Sequence, residues 1–401
     1  MTDTSEILRI AARGDGVTAD GRYFPLTAPG DRVAVDGSII PGPHHAPPAC
    51  SHYPECGGCQ LQHLDEESFA RFVTERVVNA LSGQQLALPE VMPAHISPPN
   101  SRRRASLRAE RRGKKVLIGF NAGQSHRIVD MADCAILHPA LFALIAPLRR
   151  LLGPMLREKR AGGVKMTLTD QGVDLLLDGI EADGLAAAES LSRFAEDHGL
   201  ARLSLDDGYG PQTRWEPEPV TVTLGGVAVS VPHDAFLQAT QDGEAALIAA
   251  VRDAIGDAPT AADLFSGLGT FALSVVEGQG RKVYAAEAAR DAAFALKGAV
   301  GRVQALVFVE HRDLYRRPLT TAELDRFGAI ILDPPRAGAE EQVKALSSSK
   351  APRIAYVSCN PATFARDAKT LIAGGYRLDW VRPVGQFRWS THVELAAAFT
   401  R

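Results

Sequence analysis

Apolar and polar positions change their rhythm twice along the chain. Over the first 46 residues, EILRIAARGDGVTADGRYFPLTAPGDRVAVDG alternates in short runs broken by Asp-Gly and Pro-Gly pairs, which predicts a small β module over 1–46. A proline-rich stretch, PGPHHAPPA, leads into a region of mixed pattern over 47–232. There DEESFARFVTERVVNAL repeats its apolar residues at helical spacing. KMTLTDQGVDLLLDG and VTVTLGGVAVSV read as hairpins turning at Gln-Gly and Gly-Gly. From 233 to 401 the short apolar runs TAADLF, KVYAAE, GAIILD and RIAYVS alternate with the helical stretches TFALSVVEG, RDAAFALKGAV and PATFARDAKTLIAG. That alternation predicts an α/β domain with a doubly wound parallel sheet. The final RLDWVRPVGQFRWSTHVELAAAFT supplies two more strands to close the sheet's edge.

Composition narrows the class without naming it. A hydrophobic fraction of 45% and a charged fraction of 23% fit a globular chain. MTDTSEILRI lacks the basic-then-apolar pattern of a secretory signal. The most apolar stretch, Ala135 to Leu156, is interrupted by His138, Pro139, Pro147, Arg149 and Arg150, so no membrane span and a cytoplasmic location are expected. Net charge is −3, yet Arg102, Arg103, Arg104, Arg108, Arg111, Arg112, Lys114 and Lys115 crowd together against Glu110 alone. Such a run is either a solvated hairpin face or a clamp for phosphates.

The chemistry gathers at strand ends. The strand ending at Phe265 runs into Ser266-Gly267-Leu268-Gly269-Thr270, a turn that lets backbone approach a ligand closely, and Glu287 closes the next strand where it can accept ribose hydroxyls. This pattern alone also fits a dinucleotide fingerprint. Two later strands end in Asp333-Pro334-Pro335-Arg336 and Cys359-Asn360-Pro361. Ligands of open α/β sheets sit beyond the carboxyl ends of the strands, so Glu287, Asp333 and Cys359 converge on one crevice. Hydride transfer has no use for a thiol there; methyl transfer to an activated base does. Adding a thiolate to C6 of uracil makes C5 nucleophilic, and a base must later remove the C5 proton. Asn360-Pro361 reads as a helix start, which is expected to lower the Cys359 thiol pKa. Glu394 is a lone acid on an apolar final strand, and by itself reads as an edge carboxylate facing water.

Five cysteines make no secreted disulfide framework. Cys50, Cys56 and Cys59 cluster, and Cys134 is available as a fourth soft ligand, so the quartet suits structural zinc or an iron–sulfur cluster.

With CSHYPECGGCQLQHL, DCAILHP, FLQ, DLFSGLG, RDL, DPPRAG, VSCNPATFARD and HVELAAAF in this order, the chain resembles the RNA 5-methyluridine methyltransferases. It is most similar to their subgroup that carries a [4Fe-4S] cluster and modifies 23S ribosomal RNA. The resemblance implies a class I (Rossmann-like) methyltransferase domain over 233–401, a mixed α+β central domain over 47–232 and a TRAM-like RNA-binding module over 1–46. It implies Cys359 as nucleophile and Glu394 as general base. Gln238, Phe265, Glu287, Asp313 and Asp333 then bind S-adenosylmethionine or shape its pocket, and Cys50, Cys56, Cys59 and Cys134 hold the cluster. The implied partner is ribosomal RNA, not DNA, presenting an unstacked uridine to a monomeric enzyme. Where the family favours asparagine, this chain has Thr240 and Thr270, and Ala288 stands at a frequent glycine, so some amide contacts are lost. Two rival readings remain: a transfer-RNA enzyme, disfavoured because such members are expected to match only the catalytic domain, and an inactive RNA binder, disfavoured by the intact Cys359, Asp333 and Glu394.

Overall fold

The computed structural model describes residues 4–276 and 280–401. The amino-terminal module is a five-stranded sheet in the order β3-β2-β1-β4-β5. Its strands are β1 (Thr4–Ile10), β2 (Gly16–Thr18), β3 (Tyr23–Phe24), β4 (Arg32–Ala34) and β5 (Ile39–Ile40). Ile7, Ile10, Val17, Ala28 and Val33 form its interior, as the alternation requires. Helix α1 (Glu66–Gly83) follows, capped by Asp65, whose side chain accepts from the Ser68 N–H at 2.8 Å. Its buried stripe is Phe69, Phe72, Val73, Val77 and Leu81, each contributing about 1.5–3 kcal/mol of burial.

Two very short strands, β6 (Glu90–Val91) and β7 (His95–Ile96), lead to the central unit. This is a six-stranded sheet in the order β13-β12-β11-β10-β8-β9. Its members are β8 (Arg104–Arg112), β9 (Lys115–Gly119), β10 (Ala161–Thr169), β11 (Gly172–Asp178), β12 (Arg202–Asp206) and β13 (Gln212–Trp215). Helices α2 (Pro139–Phe142), α3 (Ile145–Leu152) and α4 (Leu185–Asp197) carry side chains of the same core. Both predicted hairpins form, β10 with β11 and then β14 (Thr221–Leu224) with β15 (Val227–Ser230).

The last unit begins with α5 (Gln241–Ile255) and alternates as predicted: β16 (Thr260–Leu264), α6 (Thr270–Val276), β17 (Lys282–Glu287), α7 (Arg290–Val303), β18 (Val307–His311), α8 (Thr321–Leu324), β19 (Ala329–Leu332), α9 (Glu340–Ser347), β20 (Arg353–Ser358), α10 (Pro361–Ala373), β21 (Arg377–Gly385) and β22 (Glu394–Thr400). The Glu277-Gly278 end of the helix expected from Thr270 lies outside the described residues. The sheet runs β18-β17-β16-β19-β20-β22-β21-β6, with β7 also on β21. Its first five strands are parallel, and β22 is antiparallel to both β20 and β21. This is the doubly wound parallel sheet expected from the alternation, in the arrangement that the resemblance implies.

Two expectations need correction. The final strands do not close the edge themselves, because β6 and β7 pair with β21 beyond them. Packing also cuts across the expected boundary at 232/233. The apolar stripe of α1 joins the core beneath β19 and β20, and the β14–β15 hairpin joins that of α5, α6 and α7. Both segments are too small to bury their apolar faces alone, so they dock on the large sheet.

Candidate active site

Four parallel strands end on one side of the sheet, and the residues after them line a cavity of about 670 Å³. Phe265 follows β16 with φ of 67°, a conformation costly for a bulky side chain, and its ring meets Tyr315 at 5.6 Å between centroids. The strain turns the chain into Gly267 and Gly269. At Gly269 an added Cβ would stand 2.4 Å from Leu296, so the turn can sit against α7 only without a side chain. Glu287 braces this loop from β17: its carboxylate accepts from the Gly267 N–H at 2.8 Å and the Ala289 N–H at 2.6 Å. Ser266 Oγ is buried with no partner. An unsatisfied hydroxyl, a glycine turn and a brace of acids make a fitting cradle for a polar nucleoside ligand.

The other half of the cavity holds the thiol. Ser358 of β20 pairs with Leu395 of β22 in antiparallel register. The next residue on one strand therefore opposes the previous residue on the other, which sets Cys359 against Glu394. Glu394 is buried, and its carboxylate accepts a hydrogen bond from the Gln386 amide. Burial, then the Asp333 charge, pushes its pKa up to about 8. Asp333 itself is raised to about 7 by burial and by Glu287. Beneath the glycine loop, Asp263 accepts from the Ala272 N–H at 2.8 Å and is raised to about 8, first by burial. The Cys359 thiol is also raised, by burial, then Glu394 and Asp333, with Arg336 opposing. The expected lowering by the helix start does not dominate: burial, with the carboxylates behind it, outweighs a helix end that Asn360 already caps through Ala362 N–H.

Gln238, Phe265, Glu287, Asp333, Cys359 and Glu394 thus meet in one cavity. Asp313 is not among its lining residues; its carboxylate caps the turn at Tyr315 N–H (3.0 Å) and Arg316 N–H (3.3 Å). Thr240 caps α5 through Gly243 N–H at 3.1 Å and meets Ser97 Oγ at 2.9 Å, so the departure from asparagine serves the helix start. Gln386, Tyr315 and Arg336 went unseen in the sequence. Arg336 had a signal in its place after Asp333-Pro334-Pro335, and Gln386 only that of an amide at the end of an apolar strand.

Cys50, Cys56, Cys59 and Cys134 line a second, smaller cavity with Phe120, Met131 and Ile136, and none is in a disulfide. Burial pushes the Cys50 thiol up to about 12 and Cys59 to about 11, with Cys56 and Cys134 also raised. Among the described residues, no group of three or more His, Cys, Asp or Glu side chains is arranged to hold a metal ion. Four free thiols facing one space remain a donor set suited to a soft metal or cluster, which would supply the positive charge that burial denies them.

The basic run is largely neutralised from within. Arg103 pairs with Glu244 at 2.6 Å, Arg108 with Asp178 at 3.8 Å, Arg111 with Glu158 at 3.7 Å, Arg112 with Glu110 at 2.5 Å and Lys115 with Asp130 at 3.0 Å. Arg102 and Arg104 lie over Phe120 and Phe236. Five of the eight basic side chains are thus paired with acids, while Arg102 and Arg104 keep their charge against rings. Among the described residues no helix is long and apolar enough to cross a membrane.

Comparison with known proteins agrees with this geometry. The tRNA (Uracil-5-)-methyltransferase family matches residues 230–401. An uncharacterized RNA methyltransferase of Zymomonas mobilis is 52% identical over 99% of both chains. The 23S rRNA (uracil(1939)-C(5))-methyltransferase RlmD of Chromohalobacter salexigens is 31% identical over 100% of this chain and 89% of its own. In fold, the chain is similar to the Pyrococcus abyssi tRNA (uracil-54, C5)-methyltransferase solved with S-adenosyl-L-homocysteine, with a TM-score of 0.77, 22% identity and 99% of each chain covered. That likeness is one of fold along the whole chain, whereas the family model matches the catalytic domain alone, as expected of a transfer-RNA enzyme. The chain belongs to the S-adenosylmethionine-dependent RNA (uracil-5-)-methyltransferase family.

Proposed function

We propose that the chain methylates C5 of a uridine in ribosomal RNA, in the 23S molecule, through a transient bond between Cys359 and C6 of the base. The observation that carries this is the opposition of Cys359 and Glu394 across adjacent strands, inside the cavity whose other end is the glycine loop. Bound S-adenosylmethionine supplies an electrophilic methyl group. Gln238, Phe265, Glu287 and Asp333 would hold it or shape its pocket, with Asp313 contributing from the turn outside. The Cys359 thiolate adds to C6 and makes C5 nucleophilic; once C5 has taken the methyl group, leaving the donor as S-adenosylhomocysteine, Glu394 takes the C5 proton and the C5–C6 double bond re-forms as the thiolate leaves. A base stacked in a helix hides C6 from the thiol, so the substrate uridine is unstacked. Cys50, Cys56, Cys59 and Cys134 would hold a [4Fe-4S] cluster, which ties the 50–59 segment to the 134 segment and takes no step in the reaction. The enzyme works as a monomer in the cytoplasm, where ribosomal RNA is.

Identity to the RlmD relative supports the ribosomal target; the transfer-RNA reading keeps one observation, the fold shared along 99% of the chain with the Pyrococcus abyssi enzyme. Incubation with labelled donor and unmodified ribosomal or transfer RNA separates them. Label in 23S RNA supports the proposal, and label in transfer RNA alone overturns it.

A further inference from the structure

Gln386 follows β21 and is 2% exposed, deep beneath the cavity. Its amide has one possible orientation. One atom accepts from the Ala239 N–H at 2.8 Å, and a backbone N–H can only donate, so that atom is the oxygen. The nitrogen then has two hydrogens and spends both on residues lining the cavity. One goes to Gln238 Oε1 at 2.7 Å and the other to the Glu394 carboxylate. Among the described residues, Gln386 is the one hydrogen-bond partner of that carboxylate.

We propose that Gln386 is a positioning residue acting through Glu394: it aims the carboxylate at the substrate and favours its ionised form, and so serves removal of the C5 proton but not the earlier bond to C6. The inference rests on the reading of Glu394 as general base. A neutral amide suits the task better than a lysine or arginine. It favours the ionised form and fixes its direction, yet leaves the carboxylate basic enough to take a proton. The surrounding charges offer no substitute. The Asp333 charge opposes ionisation of Glu394, and Cys359, beside it just past β20, is a thiol that Glu394 itself raises. On α5, which packs on β22, Asp242 is paired with His95 and Glu244 with Arg103. Arg336 and His392 face each other at 3.3 Å.

The test follows the covalent complex through its formation and decay. Gln386→Met keeps the length and removes the donor. Its expected signature is adduct formation within about threefold of the parent and decay slowed roughly 10- to 100-fold, part of the 10²–10⁴ a general base supplies. The pH profile of decay should move to the alkaline side. In a Glu394→Gln background, Gln386→Met should add nothing further to the decay rate. Formation and decay slowed alike, with an unmoved pH profile, would assign Gln386 to packing and overturn the proposal. Should the Met variant fail to melt cooperatively or bind S-adenosylhomocysteine, Gln386→Asn, which keeps an amide too short to reach, is measured instead; loss of folding in both also overturns it. The parent enzyme with 5-fluorouridine RNA is the control: no trapped adduct there defeats the reading of the site itself, whereas a trapped adduct beside an unaffected Gln386→Met defeats only the inference.

Discussion

Thiols are buried in two places in this molecule, and their surroundings differ in kind. The quartet of Cys50, Cys56, Cys59 and Cys134 has walls of Phe120, Val129, Met131 and Ile136, with Asp133 accepting from Cys50 Sγ at 3.0 Å. Cys359 stands in a cavity of about 670 Å³ among Asp333, Glu287 and Glu394, which also holds Gln238 and Arg336. Burial raises the thiol pKa in both regions. The first has closed apolar walls and several sulfurs, so it gains by binding something that stays. The second has one sulfur, two acids, Asp333 and Glu394, whose pKa values burial raises, and room for a ligand that leaves. Raised acids around a lone thiol in a cavity with room for a ligand fit the proposed chemistry, and four thiols in a small, mostly apolar space fit the proposed cluster.

The sharpest way to break this comparison is to remove one sulfur from each region. Cys359→Ala is expected to lower turnover by about 10⁴-fold or more while leaving the melting temperature within about a degree. If the quartet holds the proposed cluster, Cys59→Ser should instead lower the melting temperature and release iron, as read by metal analysis, because one proposed ligand of four is removed. If Cys59→Ser abolished turnover with unchanged stability and metal content, the two regions would not divide as structure and chemistry.

Glu394→Gln follows in size. Turnover should fall about 10²–10⁴-fold, with protein-linked RNA accumulating on denaturing gels. Its stability runs the opposite way. Glu394 is raised from 4.5 to about 8 in the fold, so its stabilising contribution is complete below about pH 4.5 and is lost as pH rises toward 8. The variant lacks this charge, and its melting temperature should match the parent near pH 5 and exceed it by several degrees at about pH 8.5. For the same reason the parent's rate should climb with a pKa near 8 and fall away below about pH 7. A rate flat from about pH 6 to 9 would remove Glu394 from the proton step.

How much of this was legible follows from which residues speak locally. Strand ends punctuated by glycine or proline announce themselves, so the Phe265, Asp333 and Cys359 positions were readable, and the parallel sheet with them. The opposition of Cys359 and Glu394 depends on the register of β20 against β22, whose Ser358 and Leu395 pair 37 residues apart with helix α10 and β21 between them. No local pattern fixes that. Gln386 was hidden for the same reason, since its partners are Ala239 and Gln238 from a distant segment. The ion pairs of the basic run were invisible too, because charge counted along the chain ignores the acids that folding brings beside it, such as Glu244 and Asp178. Docking of α1 and the β14–β15 hairpin was equally invisible: a helix stripe shows that something must cover it, not what.

Arg102 joins the two thiol regions, and its replacement should have the smallest effect. Its guanidinium lies 5.8 Å from the Phe120 centroid in the quartet's wall and 5.7 Å from that of Phe387, next to Gln386. Burial lowers its pKa, and the charges of Cys59 and Cys134 oppose this, so the cation and the thiols favour each other's ionised forms. Arg102→Met keeps the stem and removes the charge. The two ring contacts together are worth about 1–2 kcal/mol, so the melting temperature should drop by about 2–4 °C. The quartet thiols of the metal-free protein should react more slowly with a maleimide, having lost the cation that favours thiolate. Turnover at saturating RNA should fall less than about threefold, because the hydrogen bonds of Gln386 to Ala239, Gln238 and Glu394 do not involve Arg102. A hundredfold loss of turnover with unchanged thiol reactivity would place Arg102 wholly on the catalytic side, and the quartet would then have no electrostatic link to the cavity it adjoins.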